Sequence, residues 1–214
     1  MKSVFVWNRA NFEDFTYSEN TKPIEEFFND YFSPYKAIYS AKARHFIPLI
    51  LELEGFSRPN LVFTQPYSSH CVLSSISYRS TPNTSSSVLS DASIIYHQFG
   101  YKQIVDQSKF KNVIIEDSVD TFFLDISESE IFPNNASYSI LSLPKLINSP
   151  IGSIALCKDE KSYQKLKNLL NERTSIVKYS SVFNDLIKKS YYRLAILENF
   201  KFITPNFSDF EKEF

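Results

Sequence analysis

The chain has 214 residues, of which 43% are hydrophobic and 22% charged, and its formal net charge at pH 7 is −1. This length and composition are typical of a globular domain with a substantial core. The pI of about 6.3 argues against a broadly basic nucleic-acid-binding surface. Only two cysteines occur, Cys71 and Cys157, so the chain has no disulfide framework and fits a reducing compartment.

The sequence shows neither a secretory signal nor a membrane span. The start, MKSVFVWNRANFEDF, has a short apolar run with charges close behind it, which is too short for a signal-peptide core. Elsewhere the apolar runs stay well below the eighteen or so residues that a membrane helix needs. We therefore expect a cytoplasmic protein with no membrane or nucleic-acid partner.

The first half of the chain predicts helices and one short buried strand. Pro23 and the acids that follow it suit the first turn of a helix around residues 22–32. Apolar residues at helical spacing predict a second helix between Ser40, a fair N-cap, and Gly55, with Pro48 kinking it or shifting its start. We then expect a strand at 61–65, a helix at 68–76, and a loop at 78–92, where Ser, Thr and Pro are frequent.

From residue 93 onward, the sequence predicts strands that alternate with helices. The strands are continuous apolar runs at 93–99, 112–118, 137–143 and 153–157, and a helix capped by Asp159 follows the last one. This pattern predicts an α/β fold with three layers, a mainly parallel sheet carrying helices on both faces. We expect an N-terminal segment at 1–34, an α/β domain at 35–175 and a C-terminal helical segment at 176–214.

Several reactive side chains follow the predicted strands, where parallel sheets bind their ligands. Ser40 and Ala41 open a helix and could offer backbone N–H groups to an anion such as phosphate. His70, Asp117 and Lys145 each follow a strand. Singly, each has an ordinary explanation: a serine before a helix is usually a cap, an aspartate after a strand a turn residue, and a lysine a solvated strand end.

Together these residues match the needs of an aldehyde cofactor with a pyridine ring. A lysine forms the Schiff base, an acid keeps the pyridine nitrogen protonated, a helix start holds a phosphate, and a flat side chain stacks on the ring. Lys145, Asp117, the pair Ser40 and Ala41, and His70 supply one candidate for each role. No metal site is expected.

Four motifs, in order, resemble a known family. They are SAKA (40–43), YHQFG (96–100), VIIEDS (113–118) and SLPKLINSPIGSIAL (142–156). Over roughly residues 35 to 170 the chain resembles the fold type I pyridoxal-phosphate enzymes, most closely the DegT/DnrJ/EryC1/StrS sugar aminotransferases. The resemblance implies the large-domain fold of these transferases, here with a reduced C-terminal domain, and the cofactor pyridoxal 5′-phosphate.

The resemblance also implies roles for individual residues. Lys145 would hold the cofactor and move a proton between Cα and C4′, and Asp117 would pair with the pyridine nitrogen. The phosphate would be bound by Ser40, Ala41 and Ser142. His70 falls at the ring-stacking position, and Asp120 falls where the family often has Gln or His near the phenolic oxygen. An acid at that position would repel a phenolate.

The implied reaction is amino transfer from a donor such as glutamate to a keto-sugar nucleotide, at the interface of a homodimer, in surface polysaccharide biosynthesis. Family members are longer, however, and only 69 residues follow Lys145. The alternative is an inactive or truncated relative that keeps the fold as a structural or interaction module. An unrelated α/β domain is a third possibility.

The three glycines of the chain fall in or beside the elements that carry the four motifs, and this observation does not depend on the family resemblance. Only three glycines occur in 214 residues, far below the average of about 7%. Gly55, Gly100 and Gly152 are therefore expected where only glycine fits, through a positive φ or a close approach of the backbone.

Overall fold

The computed structural model describes residues 22–40, 42–97, 114–120, 136–146 and 152–174. These residues form one seven-stranded sheet with helices on both faces. The strands are β1 (Lys36–Ser40), β2 (Leu61–Thr64), β3 (Thr81–Asn83), β4 (Ala92–Tyr96), β5 (Ile114–Asp117), β6 (Tyr138–Ser142) and β7 (Ser153–Cys157). The helices are α1 (Lys22–Tyr31), α2 (Phe46–Leu53), α3 (His70–Ser77), α4 (Leu143–Leu146) and α5 (Glu160–Thr174), and a 3-10 turn at Ala43–His45 precedes α2.

The strand order is β1-β7-β6-β5-β4-β2-β3. All neighbouring strands pair in parallel except β7, which is antiparallel to both β1 and β6. The predicted α/β fold with a mainly parallel sheet is therefore confirmed. The carboxyl ends of β1, β2, β4, β5 and β6 lie along one edge of this sheet, and we refer to it as the carboxyl edge.

Apolar side chains cover the sheet in two layers, because successive residues of a strand point to opposite faces. On one face, Phe46 and Ile50 of α2 and Leu166 of α5 pack with Ile115 and Ile140 in one core cluster. On the other face, α1 and the turn after it contribute a smaller cluster with strand residues, made of Phe28, Phe32, Tyr35, Ala37, Leu141, Leu143, Ile154 and Leu156. Fully burying one such side chain stabilises the fold by about 1.5–3 kcal/mol.

Side chains of α1 cover the outer edge of β1. Asn29 accepts a hydrogen bond from the Ala37 amide at 2.6 Å, and Glu25 accepts one from the Tyr39 amide at 3.1 Å. Lys167 of α5 donates to the other carboxylate oxygen of Glu25 at 2.9 Å. An edge strand whose outward N–H groups are already bonded offers no template for pairing with another chain. The helix α1 lies inside the predicted N-terminal segment, and the predicted domain limits remain a prediction.

The start of the second helix was predicted wrongly. Ser40 is the last residue of β1 and pairs with Ser153 of β7, whereas the 3-10 turn begins at Ala43 and α2 at Phe46. The difference arises from a tertiary contact. Residues 36–40 (KAIYS) form a strand because they pair with β7, and the helical spacing of the local sequence does not indicate this pairing. Pro48 lies in the first turn of α2, where its missing N–H costs nothing, so it sets the late start of the helix.

The other predicted helices within the described residues are confirmed, whereas one predicted loop contains a strand. The helices near 22–32 and 68–76, and the one after Asp159, are present at almost the expected bounds, and Asp159 accepts a bond from the Ser162 amide at 2.9 Å. The segment 78–92, predicted as a loop, contains β3. Ala41, Gly100 and the C-terminal helical segment lie outside the described residues.

Within the described part of the chain, none of the helices is long and apolar enough to cross a membrane.

Candidate active site

Asp117 is a buried acid at the carboxyl edge. It is the last residue of β5, it is 2% exposed, and it pairs with Tyr96 of β4 and Ile140 of β6. Burial raises the pKa of its carboxyl to about 6, against the lowering effects of a hydrogen bond from the Val119 amide and of the charges of Lys145 and His97. A neighbouring cation would therefore stabilise the ionised form of this carboxyl strongly.

Lys145 lies at the same edge and follows a strand, as predicted, but it belongs to a short helix that the sequence did not predict. It is the third residue of the short helix α4, which begins directly after β6. The chain turns into a helix here because Pro144 suits a first helical turn, and the Leu143 side chain is buried and anchors that turn. The charge of Lys145 lowers the pKa of Asp117, and Asp117 ends β5 while Lys145 follows β6, which are neighbouring parallel strands at the carboxyl edge.

Asp120 is the direct partner of Lys145. The Lys145 Nζ atom donates to Asp120 Oδ1 at 2.6 Å, and the two side chains are 52% and 21% exposed. The second carboxylate oxygen, Oδ2, accepts a hydrogen bond from the Tyr96 hydroxyl. Asp120 was predicted at the site, whereas Tyr96 was not. Tyr96 could have been identified from the sequence, because it lies near the end of a predicted strand and opens the motif YHQFG.

A glycine turn fixes the segment that carries Lys145. Gly152 has φ +115, and a Cβ atom there would lie 2.9 Å from both Leu143 Cδ1 and Tyr39 Cε2. Its carbonyl accepts a hydrogen bond from the Leu143 amide at 3.0 Å. The expected need for glycine is therefore confirmed at Gly152, and Gly55 also has a positive φ, of +77.

The predicted phosphate ligands lie in a row of serines at the carboxyl edge. Ser153 pairs with Ser40 on one side and with Ser142 on the other, and its hydroxyl donates to the Ser40 carbonyl at 2.9 Å. Ser40 is buried and Ser142 is half-buried. Their role in phosphate binding stays a prediction, as does that of Ala41, which lies outside the described residues.

His70 is the first residue of α3 and is exposed. It follows the turn after β2, which belongs to the same edge of the sheet. Its predicted contact with a cofactor ring stays a prediction. The exposed aromatic side chain of that turn is Tyr67.

A second polar cluster supports the site from the opposite face of the sheet. His97 Nε2 lies 3.4 Å from Glu116 Oε1, and both side chains are fully buried. The Ser139 hydroxyl donates to the other oxygen of Glu116 at 3.1 Å. The backbone amide of His97 donates to the Asp117 carbonyl at 2.9 Å. The hydrogen bond of the His97 amide joins the end of β4 to β5, and that of the Ser139 hydroxyl joins β6 to β5.

The family model described as "Putative PLP-dependent aminotransferase" matches residues 24–208 of the chain. The chain belongs to this aminotransferase family. The predicted family and its cofactor, pyridoxal 5′-phosphate, are thereby confirmed. No curated protein sequence matches the chain.

Solved structures of aminotransferases share the fold. A DegT DnrJ EryC1 StrS aminotransferase from Brucella abortus is 13% identical, with a TM-score of 0.61 over 84% of this chain and 62% of that one. The aminotransferase from Psychrobacter cryohalolentis is 14% identical, with a TM-score of 0.58 over 68% of this chain and 43% of that one. GDP-4-keto-6-deoxymannose-3-dehydratase (ColD) with bound GDP-perosamine is 13% identical, with a TM-score of 0.55 over 68% and 45%. The chain thus spans about half the length of these proteins.

The residues at the carboxyl edge fit the cofactor of this aminotransferase family. In the described part of the chain, the carboxyl edge carries the primary amine of Lys145, whose charge acts on the buried carboxyl of Asp117. A buried carboxyl with a raised pKa is suited to a ligand that brings a positive charge, such as a protonated pyridine nitrogen. Lys145 is half-exposed, so an aldehyde can reach its amine.

Proposed function

We propose that this chain carries the cofactor site of a pyridoxal-phosphate-dependent aminotransferase, with Lys145 as the residue that attaches the cofactor. The observation that carries the proposal is the placement of Lys145 and the buried Asp117 at the same carboxyl edge, on α4 and at the end of β5. Bound pyridoxal phosphate would supply a ring that withdraws electrons from the substrate carbon. The protein has to provide attachment, orientation and proton transfer.

Asp117 would orient the cofactor through its pyridine nitrogen. Burial raises the pKa of this carboxyl, so the ionised acid lacks solvation, and an N–H⁺ group beside it would restore a favourable electrostatic partner. Because Asp117 is fixed in β5 between two paired strands, it would hold the ring in one orientation.

Lys145 would then serve as the general acid and base. Its amine ends a flexible side chain that is half-exposed on α4, so Nζ can move without displacing the sheet. Once it is released from the cofactor, Nζ would take the proton from the substrate Cα and return it one position away, at C4′. Ser40, Ala41 and Ser142 would bind the phosphate, and His70 would lie against the ring.

The substrates are proposed as an amino donor such as glutamate and a keto-sugar nucleotide acceptor, as in surface polysaccharide biosynthesis. Support comes from the shared fold with DegT/DnrJ/EryC1/StrS aminotransferases and with a dehydratase that binds GDP-perosamine. We also propose a cytoplasmic location and a homodimer. Light scattering of the purified chain at twice its monomer mass would support the dimer, and a monomer mass would argue against it.

Cofactor attachment gives the direct test. Wild-type protein mixed with pyridoxal phosphate should turn yellow, and borohydride should bleach the band and fix the cofactor on the Lys145 peptide, as read by mass spectrometry. Lys145→Ala should abolish both signals, whereas Lys158→Ala, at an exposed lysine after β7, should keep them. Asp117→Asn should weaken cofactor binding and slow turnover.

The amino-transfer step needs a separate measurement. Adding glutamate to the loaded protein should shift the absorbance band as the amino group is transferred, and a keto-sugar nucleotide should restore it. A wild-type protein that stays colourless with excess cofactor would favour the alternative, an inactive relative that keeps the fold for a structural or interaction role.

A further inference from the structure

The carboxylate of Asp120 joins two other side chains at the carboxyl edge. Its Oδ1 atom accepts a hydrogen bond from Lys145 Nζ at 2.6 Å, and its Oδ2 atom accepts one from the Tyr96 hydroxyl. Each carboxylate oxygen therefore has its own donor. Charge-assisted hydrogen bonds of this kind are among the stronger polar contacts in proteins.

Tyr96 ties this arrangement to the sheet. It is the last residue of β4, it is 6% exposed, and its backbone amide donates to Gln65 Oε1 at 3.0 Å. A hydroxyl on a buried strand residue has little freedom, so it fixes the carboxylate of the more exposed Asp120. Hydrogen bonds thus connect Gln65, directly after β2, through Tyr96 and Asp120 to the amine of Lys145.

We propose that Tyr96 and Asp120 are a positioning pair for Lys145. Asp120 holds the lysine ammonium at the carboxyl edge before the cofactor arrives, and Tyr96 keeps the Asp120 carboxylate turned toward the lysine. Before Nζ can attack an electrophile, the ammonium must lose a proton and leave Asp120. This inference rests on the proposed role of Lys145, and it assigns Tyr96 a part in the site.

The contacts of Lys145 and Tyr96 with Asp120 also reduce the repulsion expected between Asp120 and a phenolate. An isolated carboxylate there would repel a phenolate, but this one is compensated by the Lys145 ammonium and by the Tyr96 hydroxyl. With Lys145 attached to a cofactor, the Tyr96 hydroxyl would still donate to Asp120 and would keep its carboxylate turned toward Tyr96.

The test uses ligand-free protein and an acylating reagent. Trace acetic anhydride is added at neutral pH, and mass spectrometry compares acetylation of Lys145 with that of exposed Lys36 in the same sample. Asp120→Asn should raise the relative rate at Lys145 about two- to fivefold, the range of a partly exposed ion pair. Asp120→Glu keeps the charge and should stay near the wild-type rate.

A matched control shows whether the faster acetylation of Lys145 is specific to Asp120 or follows the removal of any partly exposed carboxylate. Glu52 pairs with Arg173 at 2.5 Å and has 23% of its side chain exposed, close to the 21% of Asp120. Glu52→Gln should leave the Lys145 rate unchanged. A similar rise in Glu52→Gln, or no rise in Asp120→Asn while its circular dichroism stays native, would overturn the proposal.

A double-mutant cycle tests Tyr96. Tyr96→Phe should raise the Lys145 rate by less than Asp120→Asn does, and it should add nothing when Asp120 is already Asn, because Tyr96 acts only through that carboxylate. Equal effects of Tyr96→Phe in both backgrounds would show a merely structural role and reject the pair.

The same variants mixed with pyridoxal phosphate separate this inference from the proposed function. Absorbance should report faster attachment in Asp120→Asn, by about the same two- to fivefold factor. If wild-type protein attaches no cofactor but the acylation rates change as expected, the proposed function fails and the positioning pair stands. If attachment occurs and neither rate responds to Asp120→Asn, the positioning pair fails and the function stands.

Discussion

Asp117 should make the stability of the protein depend on pH in an unusual direction. Burial raises its pKa from 3.8 to about 6, so between these values the folded state binds more protons than the unfolded state. The free energy of unfolding should therefore fall as the pH rises from about 4 to about 6 and then level off, with a total change of at most about 3 kcal/mol. Urea denaturation at a series of pH values measures this change.

The variant Asp117→Asn isolates this contribution, because its amide carries no charge. Its stability relative to wild type should increase through the same pH interval. Asp159→Asn serves as a control of opposite sign, since hydrogen bonds from Ser162 lower the pKa of the Asp159 carboxyl and its contribution is lost as the pH falls. A difference between Asp117→Asn and wild type that does not vary with pH would contradict the assigned burial.

Gly152 should tolerate no side chain. In Gly152→Ala the new Cβ would meet Leu143 and Tyr39 at 2.9 Å and would have to adopt φ +115. We expect a loss of about 2–4 kcal/mol in the free energy of unfolding, from backbone strain and overpacking together. Gly55→Ala shares the positive φ but has open space around the added carbon, so it should lose only about 1–2 kcal/mol. Equal losses in the two variants would show that contact with Leu143 and Tyr39 does not matter.

At the scale of elements, the edge of β1 depends on two side chains of α1. Asn29→Ala removes the acceptor for the Ala37 amide, and an unbonded amide at a partly covered edge costs about 1–3 kcal/mol. Hydrogen exchange should accelerate at Ala37 more than at Tyr39, whose amide is bonded to Glu25. Glu25→Ala should reverse that order, and Glu26→Gln, at an exposed neighbour, should change neither. Uniform acceleration along β1 would instead indicate unfolding of α1 as a whole.

The elements that the sequence predicted well are those specified by their own residues. Pro23 and Glu25 mark the start of α1, Asp159 caps α5, and the strand SIALC (153–157) has the expected bounds. The elements predicted wrongly depend on distant partners. β1 is a strand because it pairs with β7, and β3 because it pairs with β2. The contact of Tyr96 with Asp120 joins residues 24 positions apart, and no local pattern encodes it.

At the scale of the molecule, the antiparallel direction of β7 follows from the length of the segment that connects it to β6. Ten residues separate Ser142 of β6 from Ser153 of β7, and only four of them form α4. A parallel neighbour needs a crossover of a dozen or more residues, so β7 has to run back along β6. The pattern of apolar runs alone predicts only a mainly parallel sheet, without the direction of β7. The reversal places the start of β7, with Gly152, beside the ends of β1 and β6, where Lys145 also lies.

Cofactor binding should stabilise the whole domain, because the proposed ligands come from several strands and are assembled only in the folded state. At a free concentration of 100 times its dissociation constant, pyridoxal phosphate should add about 3 kcal/mol. For a chain of this size that raises the Tm by roughly 6 to 12 °C. Lys145→Ala should lose most of the shift and Lys158→Ala should keep it. Pyridoxal, which lacks the phosphate, should give a smaller shift if Ser40 and Ser142 bind that group. An unchanged Tm of the wild-type protein at saturating cofactor would mean that these strand ends do not form the proposed site.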